Sequence, residues 1–148
     1  MTEKEIKIIV EIDASPEVVF KAISNQTELT NWFPDDAILE PRAGGKYMVA
    51  FLKDSKKPRM KMDRNFINEG KILEIIKNKK LVHTWQWKTF SGFPETVVIW
   101  ELEQVNNKTR LTLTHSGFTG KEEGPASVQE HNKGWTFFLN ELVSYCKK

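Results

Sequence analysis

The last third of the chain constrains the fold most, because a strand pattern there is followed by one long amphipathic segment. Residues 110–115 alternate between apolar and polar side chains, and a polar connector at residues 119–124 precedes the amphipathic segment. Within that segment, mostly hydrophobic and aromatic side chains recur at spacings of three and four, namely Val128, His131, Trp135, Phe138, Leu139, Leu142 and Tyr145. This spacing predicts a helix. Because the preceding chain has mainly the pattern of strands, we expect the helix to cover the apolar face of a sheet.

The first residues of the chain predict one strand followed by two short helices. Residues 5–12 largely alternate between apolar and charged side chains, which is typical of a half-buried strand. The Ser-Pro pair at residues 15–16 has the chemistry of a helix start, and this helix is expected to run to about residue 24. A capping pattern at Asn25 predicts a second short helix that ends near Trp32.

Six further strands are expected between the short helices and the long one. They cover residues 37–40, 46–52, 65–76, 81–88, 96–103 and 109–115. Asparagine-containing breaks at residues 78–79 and 106–107 are hairpin signals. Gly70 lies inside the third of these strands and suggests a bulge or a bend. We therefore expect an α+β fold: a curved antiparallel sheet of about seven strands, two short helices after the first strand, and a long C-terminal helix over the concave face.

Chain length, net charge, cysteine content and hydrophobic runs limit the kinds of protein that this chain can be. A chain of 148 residues is expected to form one domain, residues 1–148. The formal net charge of +2 is too small to imply a nucleic-acid partner. Cys146 is the only cysteine, which excludes an intramolecular disulfide and a cysteine-based zinc site. The chain shows neither a secretory signal pattern nor an apolar run long enough for a membrane span, so we expect a cytoplasmic protein without an integral membrane segment.

The aromatic side chains are the main candidates for a binding site. The strand and helix patterns turn seven of them towards the space between sheet and helix: Tyr47, Phe51, Trp85, Trp87, Trp100, Trp135 and Phe138. They can line a ligand pocket, or they can fill a solid core in which each buried side chain contributes about 1.5–3 kcal/mol. The periodicity alone favours the filled core. An empty apolar cavity of about 300 Å³ would, however, cost several kcal/mol, so a fold that keeps one has a use for it.

The three histidines and Gly134 have alternative interpretations. His83, His115 and His131 lie far apart in the sequence without an HxH or HExxH pattern, so we expect no metal site. His115 or His131 can provide a polar contact for a ligand, but hydrogen-bonded structural histidines are favoured. Gly134 lies inside the predicted helix, where glycine costs about 1 kcal/mol relative to alanine. It indicates a close approach of helix and sheet or a slight hinge in the helix, or else it only makes room for Trp135 or the preceding turn. If the position is slack, Gly134→Ala should stabilise the protein.

Catalytic signals are weak. Most carboxylates fall on predicted outer faces or in loops, and no inward pair is evident for acid–base chemistry. There is no GxSxG motif and no phosphate-binding glycine loop, so no catalytic residue and no cofactor are assigned. A cyclase-like or lyase reaction needs little more than a shaped pocket and one polar group, and it stays open. The basic segment at residues 53–64 can contact an acidic partner, although a solvated hairpin loop is favoured.

An ordered series of short motifs gives the chain a resemblance to a known family. The motifs occupy residues 10–18, 31–33, 41–45, 70–74, 81–85, 109–118 and 134–135. Together they resemble the activator of heat-shock protein 90 ATPase homologue family, within the START or Bet v 1-like (SRPBCC) helix-grip superfamily. The resemblance covers nearly the whole chain and implies a helix-grip fold. It says much less about activity, because the superfamily includes lipid and hormone carriers, polyketide cyclases, ring-oxygenase subunits and co-chaperone domains.

Three functions follow as hypotheses, and the first is favoured. It is non-catalytic binding of a small hydrophobic ligand, lipid-like, polyketide-like or flavonoid-like, and its expected site residues are Tyr47, Phe51, Trp85, Trp87, Trp100, His115, Trp135 and Phe138. The aromatic rings would exclude water, while Tyr47 and His115 would orient a polar group. The second is a co-chaperone that contacts a heat-shock chaperone ATPase through the basic segment, including Lys56, Lys57 and Arg59. The third is a cyclase-like or lyase enzyme that depends on His115. A monomer or weak dimer is expected.

Overall fold

The computed structural model describes residues 4–55 and 64–147, and a seven-stranded antiparallel sheet organises them. The elements are β1 (Glu5–Ile12), α1 (Pro16–Ser24), α2 (Gln26–Leu29), β2 (Asp36–Leu39), β3 (Lys46–Phe51), β4 (Phe66–Ile76), β5 (Lys80–Trp87), β6 (Thr96–Val105), β7 (Lys108–Ser116), a 3₁₀ turn (Gly124–Ala126) and α3 (Val128–Cys146). The strand order across the sheet is β1-β7-β6-β5-β4-β3-β2. The α+β helix-grip architecture expected from the sequence is confirmed.

The two short helices begin where their caps predict. The Ser15 hydroxyl accepts from the backbone amide of Val18 at 3.3 Å, and the Asn25 side chain accepts from the amide of Glu28 at 3.0 Å. The second helix ends at Leu29, so its expected end near Trp32 is wrong. Trp32 instead turns into the core, where its indole donates to the Ala22 carbonyl at 2.9 Å. Beyond Leu29 the chain continues as a turn, in which the amides of Trp32 and Phe33 both donate to the Leu29 carbonyl.

The irregularity in β4 lies three residues beyond the position expected from the sequence. The register between β4 and β5 shifts between Ile72 and Glu74 rather than at Gly70. Gly70 is instead required by the spacing of the strands, because a Cβ placed on it would collide with the carbonyl oxygen of Thr84 on β5. The backbone amide of Lys71 donates to the Thr84 hydroxyl at 2.9 Å. Glycine is therefore required because β4 and β5 approach too closely there for any side chain.

Helix α3 covers the concave face of the sheet, as its periodicity predicts. Its buried side chains are Val128, His131, Trp135, Phe138, Leu139, Leu142 and Cys146. Trp135 packs against Trp85 on β5 and Trp100 on β6, with ring centroids 5.1 and 5.5 Å apart. The expected last member of the stripe, Tyr145, is half-buried and donates from its hydroxyl to Glu28 at 2.8 Å. The C-terminal end of α3 is thereby anchored to α2.

Helix α3 is the longest helix that the structure describes, and neither it nor any other described helix is long and apolar enough to cross a membrane.

Candidate functional site

A cavity of about 120 Å³ lies between the sheet and α3, and aromatic rings form most of its wall. The strands contribute four aromatic side chains, α3 contributes five residues of mixed polarity, and the segments between these elements contribute the remainder. The lining residues are Phe51, Phe66, Trp85 and Trp87 from the strands, Glu130, His131, Gly134, Trp135 and Phe138 from α3, and Phe33, Phe90 and Pro125 from the connecting segments. Pro125 and Glu130 are exposed and Phe90 is half-buried, so this side of the cavity meets solvent.

The structure brings together five of the eight expected site residues at this cavity. They are Phe51, Trp85, Trp87, Trp135 and Phe138. Tyr47, Trp100 and His115 are fully buried on the concave side but do not line the cavity wall. Periodicity identified the strand face on which these three residues lie. It could not show which positions along each strand line the cavity. A ligand role for any of the eight stays a prediction.

Phe33 is a central wall residue that the sequence analysis did not select. Its ring lies 5.0 Å from that of Phe138, 5.5 Å from that of Trp135 and 5.6 Å from that of Phe51. It follows α2 in a turn, so neither helical nor strand periodicity points to it. The Asn-Trp-Phe motif at residues 31–33 was the available signal, because two adjacent bulky rings in a turn need burial.

Each of the three histidines accepts a hydrogen bond from a tryptophan indole. Trp100 donates to Nε2 of His83 at 2.9 Å, Trp87 donates to Nε2 of His131 at 2.8 Å, and Trp135 donates to Nδ1 of His115 at 3.0 Å. All three acceptors are buried. These pairs show that all three histidines are hydrogen-bonded within the protein, and they connect β5 to β6 and the sheet to α3. Two of the donors, Trp87 and Trp135, also line the cavity.

The second nitrogen of each imidazole is also engaged, which assigns the ring proton. Nδ1 of His83 lies 2.9 Å from the Thr84 carbonyl, and Nδ1 of His131 lies 2.9 Å from the Ser127 carbonyl. Both must donate, because a carbonyl only accepts. Nε2 of His115 lies 2.8 Å from the Thr96 hydroxyl, which itself donates to a backbone carbonyl at 2.6 Å and so accepts from the imidazole. All three histidines are neutral in this network.

Burial keeps these imidazoles neutral. Desolvation lowers the pKa of His83 to about 4, against a weaker opposing effect from its hydrogen bond to Thr84. Desolvation, with repulsion from His131 and His83, holds the pKa of His115 well below its usual range. The pKa of His131 is also lowered by burial, although its hydrogen bond to Ser127 and the Glu122 carboxylate oppose the change. Within residues 4–55 and 64–147, no group of three or more His, Cys, Asp or Glu side chains is arranged to hold a metal ion.

Gly134 lies on the helical wall of the cavity, and the position of its missing Cβ faces open space. A Cβ built on this residue would meet no heavy atom within 4 Å. The expected close approach of helix and sheet at Gly134 is therefore wrong, and the open space indicates a slack position. The helix accepts a residue that costs it about 1 kcal/mol at a position where packing does not demand one.

The basic segment falls largely outside the described residues. Residues 56–63, which include Lys56, Lys57 and Arg59, are not among them. Of the described part of the segment, Lys53 and Arg64 are exposed. The partner-binding role proposed for this segment therefore rests on the sequence alone.

A family model described as Activator of Hsp90 ATPase homolog 1-like protein matches residues 13–147. The chain belongs to this family. The match covers the whole of the cavity wall and all three histidine–tryptophan pairs. A search of curated proteins returned no match to the chain.

Solved structures with the same fold support the architecture of this Activator of Hsp90 ATPase homolog 1-like chain. CV1439 from Chromobacterium violaceum is 18% identical, with 98% of both chains covered and a TM-score of 0.82. An HSP90 activator from Plasmodium falciparum is 23% identical, with 96% of this chain and 95% of that chain covered and a TM-score of 0.71. DynU16, a protein of the dynemicin biosynthetic locus, is 18% identical with a TM-score of 0.79; the match covers 99% of this chain but 48% of DynU16. At these identities the likeness concerns the fold.

Proposed function

We propose that this protein binds a small hydrophobic ligand and seats one aromatic ring or short alkyl group of it in the cavity under α3. The observation that carries the proposal is the aromatic cavity of about 120 Å³, with Gly134 unpacked on its wall. Almost all of its wall is apolar, so a ligand that fills it would remove apolar surface from water, which is favourable by about 25 cal/mol per Å².

The volume limits what the cavity accepts. An engineered apolar cavity of about 150 Å³ binds benzene, whereas drug-sized ligands occupy about 300–1,000 Å³. The cavity therefore suits a single ring. A larger lipid-like or polyketide-like molecule would leave its remainder near Phe90, Pro125 and Glu130, where the wall meets solvent.

A chemical-shift titration tests the proposal directly. Isotope-labelled protein is titrated with benzene and indole, and the indole signals of Trp85, Trp87 and Trp135 are expected to move together because all three line the cavity. Trp32 serves as the internal reference, since it is buried outside the cavity wall and bonded to the Ala22 carbonyl. If all these signals stay unmoved up to the solubility limit of both probes, the proposal fails.

Filling the cavity from the helix side provides the matched variant. Gly134→Leu places a side chain in open space on the cavity wall and is expected to abolish probe binding while the protein stays folded. Thr136→Leu adds comparable apolar bulk on the exposed face of the same helix and should leave binding unchanged. If both variants bind the probes with the same affinity, the ligand site does not lie in this cavity.

Family membership favours a second candidate, an interaction with a heat-shock chaperone ATPase. It is tested by adding the protein to a purified chaperone of this class and measuring ATP hydrolysis.

Charge reversal at Lys56, Lys57 and Arg59 should weaken any stimulation of ATP hydrolysis, and the loss should be larger at low salt. The same reversal at the exposed Lys77, Lys79 and Lys108 is the control. Unchanged stimulation by the first variant would remove the basic segment from this role. A cytoplasmic location, as expected from the sequence, would suit either candidate.

A further inference from the structure

Three side chains on the concave face carry buried polar atoms that no other side chain or backbone group satisfies. Within the part of the chain that the structure describes, they are the Tyr47 hydroxyl, both amide atoms of Asn68 and the indole N–H of Trp85. Tyr47 and Asn68 are fully buried and Trp85 is 3% exposed. Leaving such a group unpaired costs about 1–3 kcal/mol each, and folded proteins rarely tolerate it without a reason.

The strand register places these three side chains next to one another. Asn68 on β4 lies opposite Val49 on β3 and opposite Trp87 on β5. Tyr47 is two residues before Val49, and Trp85 is two residues before Trp87, so both are diagonal neighbours of Asn68 on the same face. Diagonal neighbours in an antiparallel sheet are about 7–8 Å apart, which is within reach of long and aromatic side chains.

Gly70 leaves the surface of β4 free between Tyr47 and β5. Tyr47 lies opposite Gly70 in the register of β3 and β4. Its ring stacks on that of His83, a β5 residue, with centroids 3.7 Å apart. The tyrosine therefore crosses β4 where no side chain blocks it, and its ring reaches β5, the strand that also carries Trp85.

Asn68 is adjacent to two residues of the cavity wall. Asn68 has Phe66 two residues before it on the same strand and Trp87 opposite it, and both of these rings line the cavity. They form an edge-to-face pair with centroids 6.1 Å apart. Trp85 lines the cavity itself. A ring that enters the cavity and separates Phe66 from Trp87 would reach the amide of Asn68.

The chemistry of the region favours a neutral hydroxyl group. The buried polar side chains of the described residues include no Asp, Glu, Lys or Arg, so nothing there would neutralise a charged ligand. The nearby His83 is neutral, and burial raises the pKa of Tyr47 far above its usual range. Trp85 can only donate, whereas Asn68 and Tyr47 can both donate and accept. A hydroxyl group can accept from the indole and donate to the amide oxygen at the same time.

We infer that Asn68, Trp85 and Tyr47 form a polar subsite under the cavity that selects a ligand with a neutral hydroxyl group on its ring, as in a phenol. The inference rests on the proposed function, since the ring must first occupy the cavity. The unpaired polar atoms would then determine which ligand is preferred. A site that is built to bond a hydroxyl group discriminates against the analogue that lacks it, because the polar groups of the site are then left unpaired.

Phenol and toluene are the matched probes, since they differ by a hydroxyl in place of a methyl group and phenol is neutral at pH 7. Their dissociation constants are measured by titration calorimetry at pH 7. The wild type is expected to bind phenol about tenfold or more tightly than toluene, and Asn68→Leu is expected to remove that preference while still binding toluene. Asn140→Leu, an exposed asparagine on α3, is the control and should keep the preference.

The outcomes separate this inference from the proposed function. Equal binding of both probes by the wild type would leave the cavity as a ligand site and overturn the polar subsite. If neither probe binds, both the proposed function and the polar subsite are wrong. A phenol preference that survives in both Asn68→Leu and Tyr47→Phe would also overturn the subsite. As a second readout, phenol but not toluene should move the Trp85 indole proton downfield, as expected when it forms a hydrogen bond.

Discussion

Trp135 on α3 donates from its indole to Nδ1 of His115 on β7 at 3.0 Å, and both side chains are buried. This bond holds the long helix against the sheet at the same point where Trp135 forms part of the cavity wall. Cavity shape and histidine charge are consequently coupled, because protonation of His115 at Nδ1 would remove the acceptor that positions the wall.

Acid is expected to destabilise the protein through the three histidines. Their folded-state pKa values lie below the usual value of about 6.5, so the unfolded chain binds more protons below that pH. Their stabilising contribution is therefore complete above about pH 6.5 and is lost progressively towards the folded-state pKa, which is about 4 for His83. Denaturant unfolding across this range measures the effect. An imidazole that titrates near pH 6.5 in the folded protein would contradict it.

Trp135→Phe should destabilise the fold without changing the helix. The substitution leaves Nδ1 of His115 buried without its donor, and such an orphaned acceptor costs about 1–3 kcal/mol. Phe137→Leu, on the exposed side of the same helix, is the control and should change the free energy of unfolding by less than about 0.5 kcal/mol. Chemical denaturation of both variants at pH 7.5 measures the difference. A Trp135→Phe variant as stable as the wild type would show that this bond adds no net stability.

Two glycine-to-alanine changes should have opposite effects. Gly134→Ala is expected to stabilise the protein by up to about 1 kcal/mol, since alanine is a better helix former and its Cβ meets only open space. Gly70→Ala is expected to destabilise it, because its Cβ would collide with the Thr84 carbonyl. Thermal unfolding distinguishes the two. Gly134→Ala should also weaken binding of benzene, because the new methyl group projects from the cavity wall. A destabilised Gly134→Ala protein would mean that the position is tightly packed.

Removal of the Tyr47 hydroxyl should be neutral or stabilising in the ligand-free protein. Tyr47→Phe deletes a buried hydroxyl that has no partner among the described residues, and so deletes a group whose burial is unfavourable. Tyr145→Phe is the matched comparison, because that hydroxyl donates to Glu28 at 2.8 Å and accepts from Asn31 at 3.2 Å. It should lose about 1 kcal/mol. If Tyr47→Phe is the more damaging change, its hydroxyl is satisfied in solution.

Much of the fold could be predicted because regular elements impose a period on the sequence. The alternation in residues 81–88 identified both faces of β5, and the three-and-four spacing after Ser127 identified α3. Positions without a period were missed, as with Phe33, whose place in a turn carries no directional pattern. Asn68 was missed for another reason. It is a polar residue on an inward strand face, and its importance depends on which atoms of the neighbouring strands fail to pair with it.

The sequence by itself determined the element order, the antiparallel sheet, the covering helix and the inward direction of most aromatic side chains, because these depend on local periodicity and on the need to bury apolar surface. Only the tertiary structure decided that Phe51 and Trp87 line the cavity while Tyr47 and Trp100 lie beyond it. It also decided which tryptophan bonds which histidine. Register, strand curvature and side-chain rotamers set these distances, and they arise from contacts between residues far apart in the chain.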